Sequence, residues 1–351
     1  MTAGARRTPL AVALVGVLLA VASAAFAWRV HDLAPQRSGA VRGDGLYGPE
    51  RAAEVRALMA RLARGLLACQ TDAGWFRTQA EATGTGYNDD GERTGASALA
   101  LAALATARDV TVGRTPVPGL EEGLARGLAW LRTQQLPGGA FARGEGSSLW
   151  VAAEATGGAF LALLLAGDPA DASLLDGAGT ALTRLSEQKL PAGRSRSIVG
   201  IAAERAVGLD REGFLPKGLD ALLDARFDDV VPTGNDYLLW DTTLSEVVTR
   251  LLRARGSQGL DPLPGRVAQA VLERPPSWRG SNTDVSAWWV QGWLAARTPG
   301  SAAWFDALPG PIGEWVDEDG LLPGGFFTSS LLQTACAVLA LDEGLRAAAG
   351  P

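Results

Sequence analysis

Residues 126–141 read RGLAWLRTQQLPGGAF, and this stretch decides the fold. Its first half predicts a helix, and the Pro-Gly-Gly at residues 137–139 ends that helix, because proline cannot continue it and glycine permits a sharp turn. A second, apolar helix follows around residues 156–164, TGGAFLALL. The stretch therefore predicts one structural unit made of a helix, a glycine turn and a second helix.

The same unit recurs along the chain. Copies of the pattern occur near residues 70–75, 188–193, 231–235, 278–280 and 320–326. Together with residues 126–141 they make six units, roughly 40 to 65 residues apart, which is a spacing compatible with two-helix repeats.

The pattern Arg-Gly-x-x-Trp-Leu-x-x-x-Gln-x-x-x-Gly-x-Phe at residues 126–141 resembles the repeat of the squalene-cyclase and protein-prenyltransferase superfamily. Residues 64–75 keep its glutamine, glycine and an aromatic residue. Residues 315–326 keep everything except the glutamine, in whose place we align Gly320. The resemblance implies an all-α fold, an α/α toroid of about six helix pairs over residues 50–351, with outer and inner helices and a cavity at one end.

The residue types within the repeat indicate structural roles. A glutamine after a helix can bond the unpaired carbonyls at that helix's end and donors at the next helix's start, so we interpret Gln70 and Gln135 as staples between helices. Trp75, Phe141 and Phe326 would cover the joints. The second helices, such as residues 96–107 and 330–341, are apolar on nearly all faces, which predicts that they are surrounded by other helices.

The N-terminus predicts export. Arg6 and Arg7 precede an apolar run that ends in Ala25-Phe26-Ala27, the pattern of a signal peptide. The run is also nearly long enough for an uncleaved membrane anchor. Residues 1–28 are therefore a signal peptide or a signal anchor, and polar residues 29–49 are a tether. Both interpretations place the toroid outside the cytoplasm. The scarcity of lysine favours a bacterial origin.

Composition excludes several classes of function. The net charge of −6 and the pI near 5.1 give no electrostatic basis for binding nucleic acid. The single histidine, His31, lies in the tether. A Ser-His-Asp or Cys-His mechanism in the folded body is thereby disfavoured, as is the Asp-Cys-His zinc site of the protein prenyltransferases. We expect neither a metal nor a cofactor.

In the resembled family the starts of the inner helices face the cavity, and the segments there are rich in carboxylates and aromatic rings. The candidate catalytic residues are Asp89, Asp90, Asp236 and Asp284. The candidate ligand-binding residues are Tyr87, Glu92, Arg93, Trp150, Glu154, Tyr237, Trp240, Asp241 and Trp288. Two adjacent carboxylates repel each other, so one of Asp89 and Asp90 could keep its proton and act as an acid. The alternative for Asp284 and Asp241 is an ordinary helix N-cap.

Three functions remain open. The first is a toroid that binds a ligand or partner at the cell envelope without chemistry. The second is an extracytoplasmic glycan-active enzyme that uses cavity carboxylates, with tryptophans stacked on sugar rings. The third is an isoprenoid or lipid cyclase, although the family's Asp-x-Asp-Asp and Asp-Asp-x-x-Asp motifs are both absent. A small molecule, a lipid or a glycan is accordingly the expected ligand, and the membrane is a partner if the signal is uncleaved.

The two cysteines also allow two interpretations. Cys69 ends the first helix of the first unit and Cys336 lies in the second helix of the last, and closure of a ring makes these units neighbours. Outside the cytoplasm they could form a disulfide across the seam, and the alternative is two buried thiols.

Overall fold

A computed structural model describes residues 44–77, 90–111, 114–143, 149–187, 198, 271–280, 283–296, 298–325 and 328–347. Within these ranges the regular structure is helical and there is no β-strand, which confirms the all-α class.

Nine α-helices lie wholly within the described ranges. They are α1 (Pro49–Ala68), α2 (Asp90–Thr111), α3 (Leu120–Arg132), α4 (Leu149–Ala166), α5 (Ala172–Glu187), α6 (Val285–Ala295), α7 (Ala302–Ala307), α8 (Pro309–Trp315) and α9 (Ser330–Arg346). A short 3₁₀ turn, Pro169–Asp171, precedes α5.

Helices α2, α4, α6 and α9 form the core, and we call them the buried helices. Their side chains are covered on nearly all sides, and this confirms the prediction made for residues 96–107 and 330–341. Helix α4 is also the one described helix long and apolar enough to cross a membrane, but 72% of it is buried among other parts of the protein. Length and composition alone are therefore weak evidence for a membrane span.

The buried helices pack side by side and run in the same direction. Helix α2 packs against α4 and α9, and α9 also packs against α6. A Cβ atom added to Gly158 would lie 3.3 Å from the Cβ of Ala98, so glycine allows α2 and α4 to approach closely. Gly292 of α6 lies in the same way beside the backbone of Ala340. The last described helix, α9, thus packs directly on α2, the first of the buried helices.

One turn geometry recurs after α1, α3 and α8. The turn contains a glycine with positive φ: Gly74 (101°), Gly139 (83°) and Gly320 (84°). In each turn the backbone N–H three residues before the glycine bonds the carbonyl one residue after it, at 2.8–2.9 Å. Glycine is favoured because other residues seldom adopt this left-handed conformation.

This equivalence corrects the alignment of the last repeat. Gly320 corresponds to the turn glycines Gly74 and Gly139, and therefore does not replace a glutamine. Val316 stands where Gln70 and Gln135 stand in the other units. Leu322 occupies the position of Phe76 and Phe141, whereas Phe326, which we aligned there, lies outside the described residues.

Gln70 and Gln135 link helices in the first two units as predicted, but they bond carbonyls of the turn and of the next helix's start and not those at their own helix's end. Gln70 Nε2 donates to the carbonyls of Gly74 and Gly123, at 3.0 and 2.9 Å, and its Oε1 accepts a bond from Arg126. Gln135 Nε2 likewise donates to the carbonyls of Gly139 and Leu174. Each glutamine therefore joins its own turn to the start of another helix, α3 for Gln70 and α5 for Gln135.

A second set of links runs from the turns to the buried helices. A hydroxyl oxygen in a buried helix accepts the backbone N–H two residues after each turn glycine. The pairs are Phe76 to Ser97 (3.1 Å), Phe141 to Thr156 (3.1 Å) and Leu322 to Thr334 (2.9 Å). These hydroxyls satisfy buried donors that would otherwise lack a partner.

Each turn also packs against a helix of another unit in the same way. A Cβ atom on Gly74 would lie 2.6 Å from the carbonyl oxygen of Arg126 in α3, and one on Gly139 would lie 2.1 Å from that of Gly177 in α5. One on Gly320 would lie 2.4 Å from the carbonyl oxygen of Arg61 in α1. The Gly320 turn thus packs on α1 in the same way as the Gly74 turn packs on α3.

The segment before α1 is also held by the last helix. The N–H of Leu46 donates to the carbonyl of Gly344 at 2.9 Å, and the buried Tyr47 hydroxyl donates to that of Leu341 at 3.2 Å. The Tyr47 ring packs edge-on against Phe305. The beginning of the described chain is therefore fixed against its end.

Cys69 and Cys336, both within the described residues, are not joined by a disulfide. The alternative, two thiols, is the one observed. Cys336 is buried and Cys69 is half-buried. Burial raises the pKa of the Cys69 thiol to about 11, and the nearby carboxylates of Asp317 and Asp319 act in the same direction.

Candidate functional site

Some of the predicted site residues lie outside the described ranges. These are Tyr87, Asp89, Asp236, Tyr237, Trp240 and Asp241. The structure describes the others, which are Asp90, Glu92, Arg93, Trp150, Glu154, Asp284 and Trp288. All seven lie in the first or second turn of a buried helix or in the residue before it.

Arg93 connects the start of α2 to the preceding turn. Its Nη1 atom lies 2.9 Å from Oδ1 of Asp90, one turn earlier on α2. Its guanidinium lies 4.9 Å from the ring centroid of Trp75, which comes from the preceding turn. The Asp90 side chain is 92% exposed. Asp90 is therefore a surface carboxylate engaged by an arginine, and its predicted partnership with Asp89 stays a prediction.

The first and second units meet at this end of the helices. Gly95, two residues after Arg93, lies against the backbone of Glu154 and Ala155 in α4. Trp150 and Glu154 are half-buried. Because α2 and α4 run in the same direction, the described candidates of both units lie at the end where these helices begin.

Asp284 is the N-cap of α6, as the alternative interpretation predicted. Its Oδ1 atom accepts the N–H of Ser286 at 2.9 Å and the Ser286 hydroxyl at 2.5 Å. The next N–H, that of Val285, donates to Oε1 of Gln333 at 2.8 Å. This carboxylate therefore has a structural role that accounts for its position.

Trp288 belongs to a row of three indole rings. It is 6% exposed, and its ring meets that of Trp278 edge-to-face, with the centroids 6.1 Å apart. Trp278 in turn stacks on Trp315, at 5.2 Å and 13° between the planes. Trp315 is 42% exposed and ends α8. We call Trp278, Trp288 and Trp315 the tryptophan stack.

The exposed member of the stack is not a residue that sequence reasoning selected for ligand binding. Trp278 and Trp315 were interpreted as parts of repeat units, because each lies beside a predicted turn. The contact between them depends on how the chain before α6 packs on the end of α8. No spacing in the sequence contains that information.

A small cavity lies between the C-terminal halves of α2, α4 and α9 and the middle of α6. It is lined by Thr106, Leu161, Leu165, Trp289, Leu339, Asp342, Glu343 and Arg346. We call it the Thr106 cavity. It has about 10 Å³ available to the centre of a water molecule, which is close to the least that one buried water needs. None of the predicted site residues lines it.

Three of the four polar residues that line the Thr106 cavity are buried, and Arg346 is half-buried. Asp342 and Glu343 are each 2% exposed, and Asp342 forms an ion pair with Arg346 one turn later on α9. Thr106 is fully buried, and its hydroxyl has no hydrogen-bond partner among the groups that the structure describes. In the described part of the chain, no group of three or more His, Cys, Asp or Glu side chains is placed to hold a metal ion.

Comparison of the chain with protein-family models, with curated proteins and with solved structures finds no match.

Proposed function

We propose that this protein is an exported or membrane-anchored α/α toroid that binds a ligand or partner at the cell envelope and performs no chemistry. The toroid is supported by the recurring turns and by the packing of α9 on α2 and of the Gly320 turn on α1. Its resemblance to squalene-cyclase and protein-prenyltransferase repeats points in the same direction. The extracytoplasmic location rests on the N-terminal sequence pattern.

The observation that carries the proposal is the tryptophan stack at the end where the buried helices begin. An indole that is 42% exposed and held flat by a second indole offers a rigid apolar surface to a partner. Such rings contribute much contact area and lose little conformational entropy on binding. The Arg93–Trp75 pair lies at the start of α2, at the same end of the fold.

One further observation favours binding over catalysis. The carboxylates of Asp90 and Asp284 already serve an ion pair and a helix cap.

A glycan-active enzyme is the second candidate. Exposed tryptophans beside carboxylates are typical of sugar-binding surfaces, and Glu314 and Asp317 are exposed on either side of Trp315. The catalytic acids of such an enzyme would be Asp89, Asp90 or Asp236.

The test compares the domain from residue 28 onward with its Trp315→Ala and Trp315→Phe variants. Each is immobilised and incubated separately with purified peptidoglycan, with a bacterial polar lipid extract and with detergent-solubilised envelope proteins. We expect the wild-type domain to retain one of the three samples. Trp315→Ala should retain about tenfold less of it, and Trp315→Phe should restore part of the retention. Glu121→Ala, which changes an exposed residue on α3, is the matched control.

If the wild-type domain retains nothing, or if Trp315→Ala retains as much as the wild type, the proposal is wrong. If shortened glycan fragments appear in the peptidoglycan sample, the second candidate replaces it.

A further inference from the structure

We propose that the Thr106 cavity is a binding site for a single small cation, of the size of an alkali ion or ammonium. The cavity lies between four helices, since α2, α4, α6 and α9 all contribute to its lining. This inference is independent of the proposed ligand surface, because no residue of the tryptophan stack lines the cavity.

The Thr106 hydroxyl supports an occupant in the cavity. A buried polar group without a partner is unfavourable, and native proteins seldom keep one. Threonine in a helix commonly bonds the carbonyl four residues earlier, as Thr94 and Thr111 do in this same helix. Thr106 makes no such bond among the described residues, although it is fully buried and lines the cavity. Its oxygen is therefore available to an occupant.

The chemistry of the other polar lining residues favours a cation as the occupant. Asp342 and Glu343 are among the lining residues, and carboxylate and hydroxyl oxygens are the ligands that hard cations prefer. Arg346, the one cationic side chain in the described lining, is bound to Asp342. These oxygens favour a positive occupant and disfavour an anion.

The position of the cavity along α4 and α9 also favours a cation. Leu165 lies in the last turn of α4, and Asp342, Glu343 and Arg346 lie in the last two turns of α9. The C-terminal end of a helix carries a partial negative charge from its unpaired carbonyls, and this charge stabilises a nearby cation.

Size and apolar lining restrict the occupant further. With about 10 Å³ for an atom's centre, the cavity admits one atom or a group such as ammonium. Trp289 supplies an aromatic ring to the lining, and cations interact favourably with an indole face. The rest of the apolar lining is leucine.

The experiment measures the thermal midpoint of the folded domain in sodium, potassium, ammonium and choline chlorides at equal ionic strength. Choline is too large for the cavity and serves as the reference salt. We expect one small cation to raise the midpoint by about 3 °C or more, because an ion that binds only the folded state stabilises it by mass action. Thr106→Val and Glu343→Gln should remove this difference, and the exposed Thr180→Val should keep it.

A second measurement uses the wild-type protein alone, so that a variant that fails to fold does not decide the result. Crystals soaked in rubidium chloride should show an anomalous peak between Thr106 and Glu343. Equal midpoints in all four salts together with no rubidium peak would overturn the proposal and leave the cavity to a water molecule. A midpoint difference that persists in both cavity variants would also overturn it.

Discussion

Cys69 is not part of a disulfide, yet its surroundings make its thiol less reactive than an ordinary cysteine thiol. It lies where α1 ends, half-buried and near the carboxylates of Asp317 and Asp319. With a pKa of about 11 it holds its proton at neutral pH, whereas an ordinary thiol ionises near pH 8.5. The thiolate is the reactive form. Cys69 is therefore poorly suited to disulfide exchange in the folded protein.

We predict that iodoacetamide alkylates Cys69 slowly at pH 8. The rate in the folded protein should be on the order of a hundredfold below that in urea-unfolded protein, and it should rise as the pH approaches 11. Asp317→Asn together with Asp319→Asn should raise the rate, because the substitutions remove two negative charges near the sulfur. Peptide mapping by mass spectrometry separates Cys69 from Cys336. Equal rates in folded and unfolded protein would contradict the prediction.

At the residue scale, the sequence allowed local roles to be predicted but not contacts between distant residues. The linking role of Gln70 and Gln135 followed from their place after a helix, although the carbonyls they bond were not the ones predicted. The capping role of Asp284 followed from its place before an apolar helix. The stacking of Trp278 on Trp315 could not be predicted in this way. It depends on the packing of segments almost forty residues apart.

The buried helices carry polar residues whose purpose becomes clear at the scale of the element. Helix α4 is apolar for most of its length, yet Thr156 lies fully buried within it. Its hydroxyl accepts the N–H of Phe141, the residue that covers the joint after α3. The same link recurs at Ser97 and Thr334. A hydroxyl in an otherwise apolar helix was the available sequence signal.

We predict that Thr156→Val lowers the free energy of unfolding by about 1–3 kcal/mol, because the substitution leaves the buried N–H of Phe141 without a partner. Valine has nearly the same volume, so a cavity is not created. The control is Thr180→Val, an exposed threonine on α5, which should change stability by less than about 0.5 kcal/mol. Urea unfolding followed by circular dichroism measures both. Similar values for the two variants would refute the proposed link.

The helices themselves could be predicted because their patterns are long and strong. The buried character of α2 and α9 followed from apolar residues on every face. The alignment of the last unit failed for a physical reason, since Leu322 fills the place that an aromatic residue fills in the first two units. An aliphatic side chain covers the joint as well as a ring does, and a motif search for an aromatic misses it.

For the whole molecule, the most informative contact is that of the Gly320 turn with α1. It joins parts of the chain about 250 residues apart in the way that the Gly74 turn joins neighbouring units. A Cβ at Gly320 would lie 2.4 Å from the carbonyl oxygen of Arg61. Each atom is attached directly to the backbone, so neither can move aside by a side-chain rotation.

We predict that Gly320→Ala destabilises the protein more than Gly119→Ala does. Both glycines have positive φ, 84° and 76°, so alanine carries a similar conformational cost of about 1–2 kcal/mol at either. Of the two added Cβ atoms, only the one at Gly320 would have a neighbour within 4 Å. The resulting overlap should add about 1–3 kcal/mol to the loss of stability. Chemical denaturation of the two variants measures the difference. Equal losses of stability would show that the contact between the last turn and α1 contributes little.

The packing of α9 on α2 also has a consequence in time. Helix α2 begins at Asp90 and α9 at Ser330, so 240 residues separate their starts. At about 5–20 residues per second, a ribosome needs on the order of 10–50 s between them. During that interval α2 and the Tyr47 segment lack the surface that covers them in the finished protein. The packing around α2 and the Tyr47 segment is therefore complete only once α9 has been synthesised.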